Sequence, residues 1–357
     1  MKRSASTLAA TAAIAILAAY GQAAFAASYY DGKTIEISVD RGSGGSQDRI
    51  CRFMASHLAT YIEGKPKIVV RNRPGGTGVV ATNWLYDQAP KDGTALGCFL
   101  PIRFYQDAYW GTGGKKSLGL KADVRKLVPV AGTAVLTVTY VRSDVGGGIK
   151  APTDLKGAPF FKTGGQSITS TKDISFRTIF DLAGIRYNYV TGYQDSADAW
   201  AAVLRNEVQQ HQSGIPHYMK VVLPTGVNTG KVTPLYYSST QRIPELAPAI
   251  PAIDFVKKYG GKPEGMLWDL YQTSGAWRAF FLPPGTPEAA ARAFESGFQR
   301  MLGDAAFRAA YKERYHLAPE WIAGRTALDR EMVDPYRRSG KSLASFKKGY
   351  IDKARKK

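Results

Sequence analysis

The chain has 357 residues and a formal net charge of +19, from 48 Lys and Arg against 29 Asp and Glu. As a soft prior that length suggests about two domains, each large enough to own a core. No window approaches the roughly 18 uninterrupted apolar residues of a membrane helix, which excludes a membrane-spanning helical protein.

Lys2 and Arg3 precede an apolar run over residues 8–19 and the small-residue stretch Ala24-Phe25-Ala26. That is the pattern of an export signal, so residues 1–26 are expected to be removed near Ala26 and the remainder to be periplasmic and soluble. No cysteine lies near that point, which argues against a lipid anchor. Only Cys51 and Cys98 occur; in an oxidising compartment they form one disulfide if their elements lie side by side, and otherwise stay as two buried thiols.

After the leader, Ile35, Ile37 and Val39 alternate with Glu36 and Ser38, a strand period broken by residues 40–45. Ser46 then caps a helix whose Ile50, Phe53, Met54 and Leu58 share one face. A strand at 68–71, a glycine turn at 75–78, a short helical stretch at 81–85 and a strand at 94–100 follow. Residues 128–141 are rich in β-branched side chains and are expected to carry the chain out of the first domain as further strand. A strand near 159–162, a helix through Ile174, Ile179, Phe180 and Leu182, a strand at 187–190 and a helix capped by Ser196 repeat the same unit. The proline-rich stretch 244–251 suggests a return to the first domain, followed by a strand at 276–282 and an amphipathic helix at 288–302. Strand and helix alternating in this way predict parallel sheets covered on both faces. The expected domains are 27–137 with 250–335, 138–249, and a tail at 336–357. That tail sets nine Lys and Arg against Asp352, and is expected to be solvated and frayed, with docking to an anionic surface as the alternative.

Three glycine-rich loops each follow a strand and open a helix: Gly44-Gly45-Ser46, Gly75-Gly76-Thr77-Gly78 and Gly164-Gly165-Gln166-Ser167. Unpaired N–H groups and the positive helix end converge at such places, and glycine lets an anion approach the backbone. Tyr193, after Gly192 at the head of a helix, and Arg103, just past the third strand, are further contact candidates. The positive overall potential would concentrate an anionic ligand. Nucleic acid is not expected, because the aromatics are not interleaved with basic residues in a recognised module. Residues 76–81 match the dinucleotide fingerprint with Ala81 in its last place, but the nearest suitable acid, Asp92, precedes a strand instead of ending one. His57, His211, His217 and His316 are scattered, so no metal or cofactor is expected. A secreted α/β hydrolase is the alternative class, although it lacks the Gly-x-Ser-x-Gly elbow.

Four segments together resemble the periplasmic substrate-binding receptors of tripartite tricarboxylate transporters. They are Gly44-Gly45-Ser46-Gln47-Asp48 with Arg52 and Leu58; residues 69–78 running on to Ala89-Pro90-Lys91-Asp92-Gly93-Thr94; Val190-Thr191-Gly192-Tyr193; and Pro283-Pro284-Gly285-Thr286-Pro287-Glu288. The second is the most specific, and the resemblance runs to about residue 302. It implies a two-lobed, type II periplasmic-binding α/β fold that closes on a small organic acid, is not an enzyme, acts as a monomer and passes its ligand to membrane-embedded transporter subunits. The implied ligand contacts are Gly44, Gly45, Ser46, Asp48, Asn72, Gly75, Gly76, Thr77 and Gly78 in one lobe. The other lobe would add Thr163, Gly165, Ser167, Thr169, Gly192 and Tyr193. The sequence departs from the family pattern at Thr77, at Asn206-Glu207-Val208-Gln209, at Asp173 where a small residue or histidine is common, and in its basic tail. These departures bear on ligand identity more than on fold.

Overall fold

A computed structural model describes residues 28–44, 46–110, 119–193, 196–239, 242–275 and 277–355. The expected leader and Gly45 therefore lie outside the described residues.

Two six-stranded sheets form two α/β lobes. The first runs in the order β12-β4-β11-β3-β1-β2, built from β1 (Thr34–Val39), β2 (Lys67–Asn72), β3 (Ala95–Phe99), β4 (Val128–Ala134), β11 (Trp277–Leu282) and β12 (Ile322–Ala323). β1 pairs in parallel with β2 and β3, whereas β11 lies antiparallel between β3 and β4. Ile35, Ile37 and Val39 bury one face of this sheet against Ile50, Met54 and Leu58 of α1 (Ser46–Leu58) and Phe294 and Phe298. On the other face Phe99 and Phe281 pack with Phe104 of α2 (Ile102–Trp110). Both faces are covered, as a parallel sheet requires.

The second sheet has the order β10-β9-β5-β8-β6-β7. Its strands are β5 (Thr137–Arg142), β6 (Phe161–Gly165), β7 (Tyr187–Thr191), β8 (Gln210–Gly214), β9 (Val232–Tyr237) and β10 (Ile250–Pro251). α3 (Thr171–Leu182) and α4 (Ser196–Leu204) belong to this lobe. Phe176, Ile179 and Phe180 of α3 fill the core on one face, and Trp200 and Val203 of α4 fill it on the other. The central strand β8 is polar and nonetheless buried at Gln210, His211, Gln212 and Ser213. Its backbone is paired with β5 on one side and β6 on the other.

The β-branched run at 128–141 is two strands in two sheets. β4 ends at Ala134 and β5 begins at Thr137, so Val135 and Leu136 carry the chain between lobes. The return comes later than the proline-rich stretch suggests. β10 pairs with β9, and α5 (Ala252–Lys258) puts Phe255 and Val256 into the second lobe's core. α6 (Gly265–Ser274) then leads into β11. α7 (Glu288–Gly303) and α8 (Ala305–Tyr315) complete the first lobe.

The tail is a helix rather than a solvated, frayed segment. α9 (Asp334–Arg355) contains a kink at Gly340 and buries Tyr336 and Leu343 in the first lobe. Its apolar face is buried while Arg337, Arg338, Lys341, Lys348 and Lys353 are exposed, and Lys347 turns inward to Gln106. No helix among the described residues is long and apolar enough to cross a membrane.

Cys51 of α1 and Cys98 of β3 form a disulfide that closes a separation of 47 residues. A loop of that size restricts the unfolded chain enough to contribute about 2–4 kcal/mol. Reduction, or a Cys51→Ser/Cys98→Ser variant, is expected to lower the thermal midpoint of the first lobe, as read by calorimetry with and without reductant; an unchanged midpoint would contradict this.

Candidate functional site

The crossing determines where the loops sit. β4 runs parallel to β3, since both are antiparallel to β11, so Ala134 lies at the carboxyl edge of the first parallel sheet. β5 is antiparallel to β8, which is parallel to β6, so Thr137 lies at the carboxyl edge of the second. A two-residue link therefore joins the two carboxyl edges, and the loops that leave both sets of parallel strands border one crevice. Ligands bind at this edge in open α/β sheets.

In the first lobe the loops after β1, β2 and β3 meet. Asp40 is 1% exposed; its Oδ2 accepts from Arg41 Nη1 at 2.9 Å and from the Leu100 amide at 3.3 Å. Burial raises its carboxyl above the usual range, against the opposing pull of Arg41. Gly78 is required beside it: its φ is +102°, and a Cβ there would stand 2.9 Å from Asp40 Oδ2. Gly75 and Gly76 are exposed, at the head of a helical turn whose first amides have no upstream carbonyl to bond.

Asp48 and Asn72, expected at the ligand, hold the loops together instead. Asp48 accepts from the Gly44 amide at 2.8 Å, Arg52 Nε at 2.9 Å and Asn72 Nδ2 at 2.7 Å. Asn72 also donates to the Arg41 carbonyl at 2.9 Å. Burial alone would raise the Asp48 carboxyl, but these donors outweigh it and hold it below its ordinary value. The side chains of Ser46, Thr77 and Arg103 lie outside the described residues.

One cation that sequence reasoning passed over is Arg278. It sits in the otherwise apolar strand β11, and its Nε donates to Gln47 Oε1 at 2.5 Å. Burial lowers its pKa, while Tyr311, Tyr315 and Asp40 raise it. A lone arginine inside Trp277-Arg278-Ala279-Phe280-Phe281-Leu282 was the available signal, because an apolar strand tolerates a charge only where a partner waits.

In the second lobe the loops after β6 and β7 also meet. The Gly192 amide donates to the Gln166 carbonyl at 3.2 Å and the Tyr193 amide to the Gly165 carbonyl at 3.3 Å. Ser167 Oγ lies 3.2 Å from Thr169 Oγ1. Thr169 and Gly192 are exposed and Tyr193 half-buried. Thr163 is different: it is fully buried, with its hydroxyl on the Asn188 carbonyl at 3.4 Å, so it serves the sheet and cannot reach the crevice.

Several cavities among the described residues lie away from these turns. One of about 280 Å³ sits at the hinge, lined by Ala134, Val135, Ser238, Ser239, Trp277 and Glu320 among others. Another of about 1010 Å³ lies between α3, β7 and the end of α9, with Arg177, Tyr189 and Tyr350 in its wall. Neither contains any of the residues implied as ligand contacts, although Tyr187, Asn188 and Tyr189, an aromatic stretch that could line a pocket, border the larger one. Gly75 and Gly76 in the first lobe and Gly192 in the second are exposed at these edges.

Burial in the hinge cavity pushes the Glu320 carboxyl up to about 7, with Ser239 opposing and Glu245 adding. A raised carboxyl contributes stability that is complete below its unfolded value of 4.5 and is lost as pH rises through about 7. Glu320→Gln is therefore expected to gain in thermal midpoint over the native protein as pH goes from 5 to 8; a difference independent of pH would refute the assignment.

No protein-family model matches the sequence, and no curated protein matches it. Solved structures do resemble it. The TctC solute binding protein from Polaromonas shares 18% identity at a TM-score of 0.67, over 91% of this chain and 99% of its own. The R. palustris protein Rpa4515 with adipate shares 18% identity at 0.57, over 88% and 97%. A periplasmic transporter shares 19% identity at 0.56, again over 88% and 97%. Likeness at these identities establishes the fold: two α/β lobes of the periplasmic-binding type, as the sequence leads one to expect.

Proposed function

We propose that this chain is a periplasmic receptor that captures a small organic acid between its lobes, closes on it by hinge motion and delivers it, as a monomer, to membrane-embedded transporter subunits. The observation that carries this reading is the pair of turn clusters on the two carboxyl edges joined by Val135 and Leu136. Amides that converge at helix heads hold a carboxylate without reorganising, which offsets the cost of dehydrating it. In the first lobe the turn at 75–78 supplies such amides, and Arg278, bonded to Gln47 and within the field of Asp40, adds a cation to the same lobe. The solved neighbours support the same reading, since they include a solute binding protein, a periplasmic transporter and a protein with adipate.

The reading also takes the chain not to be an enzyme. Ser213 Oγ lies 3.2 Å from His217 Nδ1, a pairing that a hydrolase would need. Ser213 is fully buried within β8, however, and also bonded to the Tyr140 hydroxyl at 3.0 Å, so no substrate reaches it. His211 is driven down to about 3 by burial and rests on the Gly164 carbonyl; it is neutral structure rather than a base.

A thermal-shift screen over organic acids is expected to give a midpoint rise for at least one of them with no turnover. At a hundredfold excess over Kd the stabilisation is about 2.7 kcal/mol. Gly76→Val should abolish the rise while leaving the fold, because φ at 76 is +54° and a Cβ there would lie 2.9 Å from Val79 Cβ. Arg278→Gln should weaken the same acid by about 10- to 100-fold, the size of one charge-assisted hydrogen bond. A full response in folded Gly76→Val would place the ligand elsewhere.

A further inference from the structure

The loop that opens α3 has the form of an anion site, and the chain has filled it with a carboxylate of its own. The Gln166 and Ser167 amides donate to Asp173 Oδ2 at 2.6 and 2.9 Å, and the Tyr189 hydroxyl donates to the same oxygen at 2.8 Å. Three donors converging on one oxygen at these distances is the geometry of carboxylate recognition. Gly165 is part of the arrangement. A Cβ at 165 would lie 2.7 Å from Asp173 Oδ2 and 2.5 Å from the Tyr189 ring, so the missing side chain makes room for Asp173 and not for a ligand. The Asp173 side chain is fully buried, and its Oδ1 has no hydrogen-bond partner among the described residues. Ser170 caps α3 directly ahead of it.

A ligand carboxylate cannot share this cradle. Its donors are already used, and two carboxylates in contact cannot both remain ionised without a large shift in one of them. The first lobe differs. Asp48 there accepts one loop amide, that of Gly44, together with the Arg52 and Asn72 side chains, while Gly75 and Gly76 stay exposed at the head of their own turn. Capacity for an acid group is therefore one-sided.

We infer that the protein selects monocarboxylic acids, with the single carboxylate on the first lobe and an uncharged or hydrogen-bond-donating far end toward the second, and that Asp173 excludes dicarboxylates. This rests on the receptor reading above. Calorimetric titration with three matched pairs tests it: butyrate and succinate, hexanoate and adipate, benzoate and terephthalate. For at least one pair the monoacid should bind tenfold or more tightly than its diacid. Asp173→Ala, which empties the cradle, should bring that diacid to at least tenfold tighter binding than in the native protein. Asp173→Asn keeps the shape and removes the charge, and should narrow the ratio even if the alanine variant does not fold. Diacids that bind the native protein as tightly as their monoacids in every pair that binds, or a ratio unmoved in folded Asp173→Asn, overturn the assignment and leave the receptor reading standing. Binding of none of the six overturns both.

Discussion

The two-residue connection between β4 and β5 is the constraint on which the rest depends. A strand of one sheet hands the chain to a strand of the other across Val135 and Leu136, a span too short to let the sheets turn their edges apart. Both carboxyl edges must then border the same crevice. Every loop that follows a parallel strand inherits that position, whatever its own sequence. The glycine turns matter because topology puts them there, and the same turns on the opposite edges would be ordinary connections.

Within that frame, acidic side chains of the chain itself organise the turns. Asp40 ties the end of β1 to Arg41 and to the Leu100 amide after β3. Asp48 ties the first loop to Asn72 at the end of β2. Asp173 ties the loop after β6 to Tyr189 of β7. Each carboxylate is buried, and each is compensated by an amide or a cation. Such bonds are strong in this setting, because the groups are held away from water and their donors are fixed before any ligand arrives. In a strongly basic chain, long-range field and local chemistry are thus separate matters. The field draws anions in, and the local carboxylates decide where an anion can stop.

The elements around the glycine turns were legible because their periodicity agrees with their burial: β1 with α1, β3, β6 with α3, and β7 with α4. β8 was not, since Gln210-His211-Gln212-Ser213 shows no apolar alternation and its burial comes from pairing with β5 and β6. The division of 128–141 into β4 and β5 was hidden for the opposite reason. Val135 and Leu136 continue the composition of both flanking strands, and no glycine or proline marks the change of sheet. In α9, Tyr336, Leu343, Phe346 and Tyr350 hold a helical spacing, yet nine basic residues masked that stripe. Of the candidate site, only the glycine loops themselves were legible. A glycine turn has the same sequence whether it receives a ligand or an aspartate seven residues on, so the roles of Asp48, Asn72 and Asp173 required coordinates.

α9 adds a restraint on the crevice that composition concealed. Its first half is embedded in the first lobe through Tyr336 and Leu343, and Lys347 Nζ donates to Gln106 of α2 at 3.1 Å. Its last turns reach the second lobe, where the Tyr350 hydroxyl donates to Asp181 Oδ2 at 2.6 Å and the Arg177 guanidinium lies 4.8 Å from the Tyr350 ring. Any rotation of one lobe against the other must carry this helix along or release those contacts. A hydrogen bond of this kind contributes about 1–2 kcal/mol and a cation–π contact about 0.5–2 kcal/mol. Micromolar ligand binding supplies about 8 kcal/mol. The strap is therefore strong enough to bias the empty protein toward one arrangement of its lobes and too weak to hold that arrangement against a ligand that favours another.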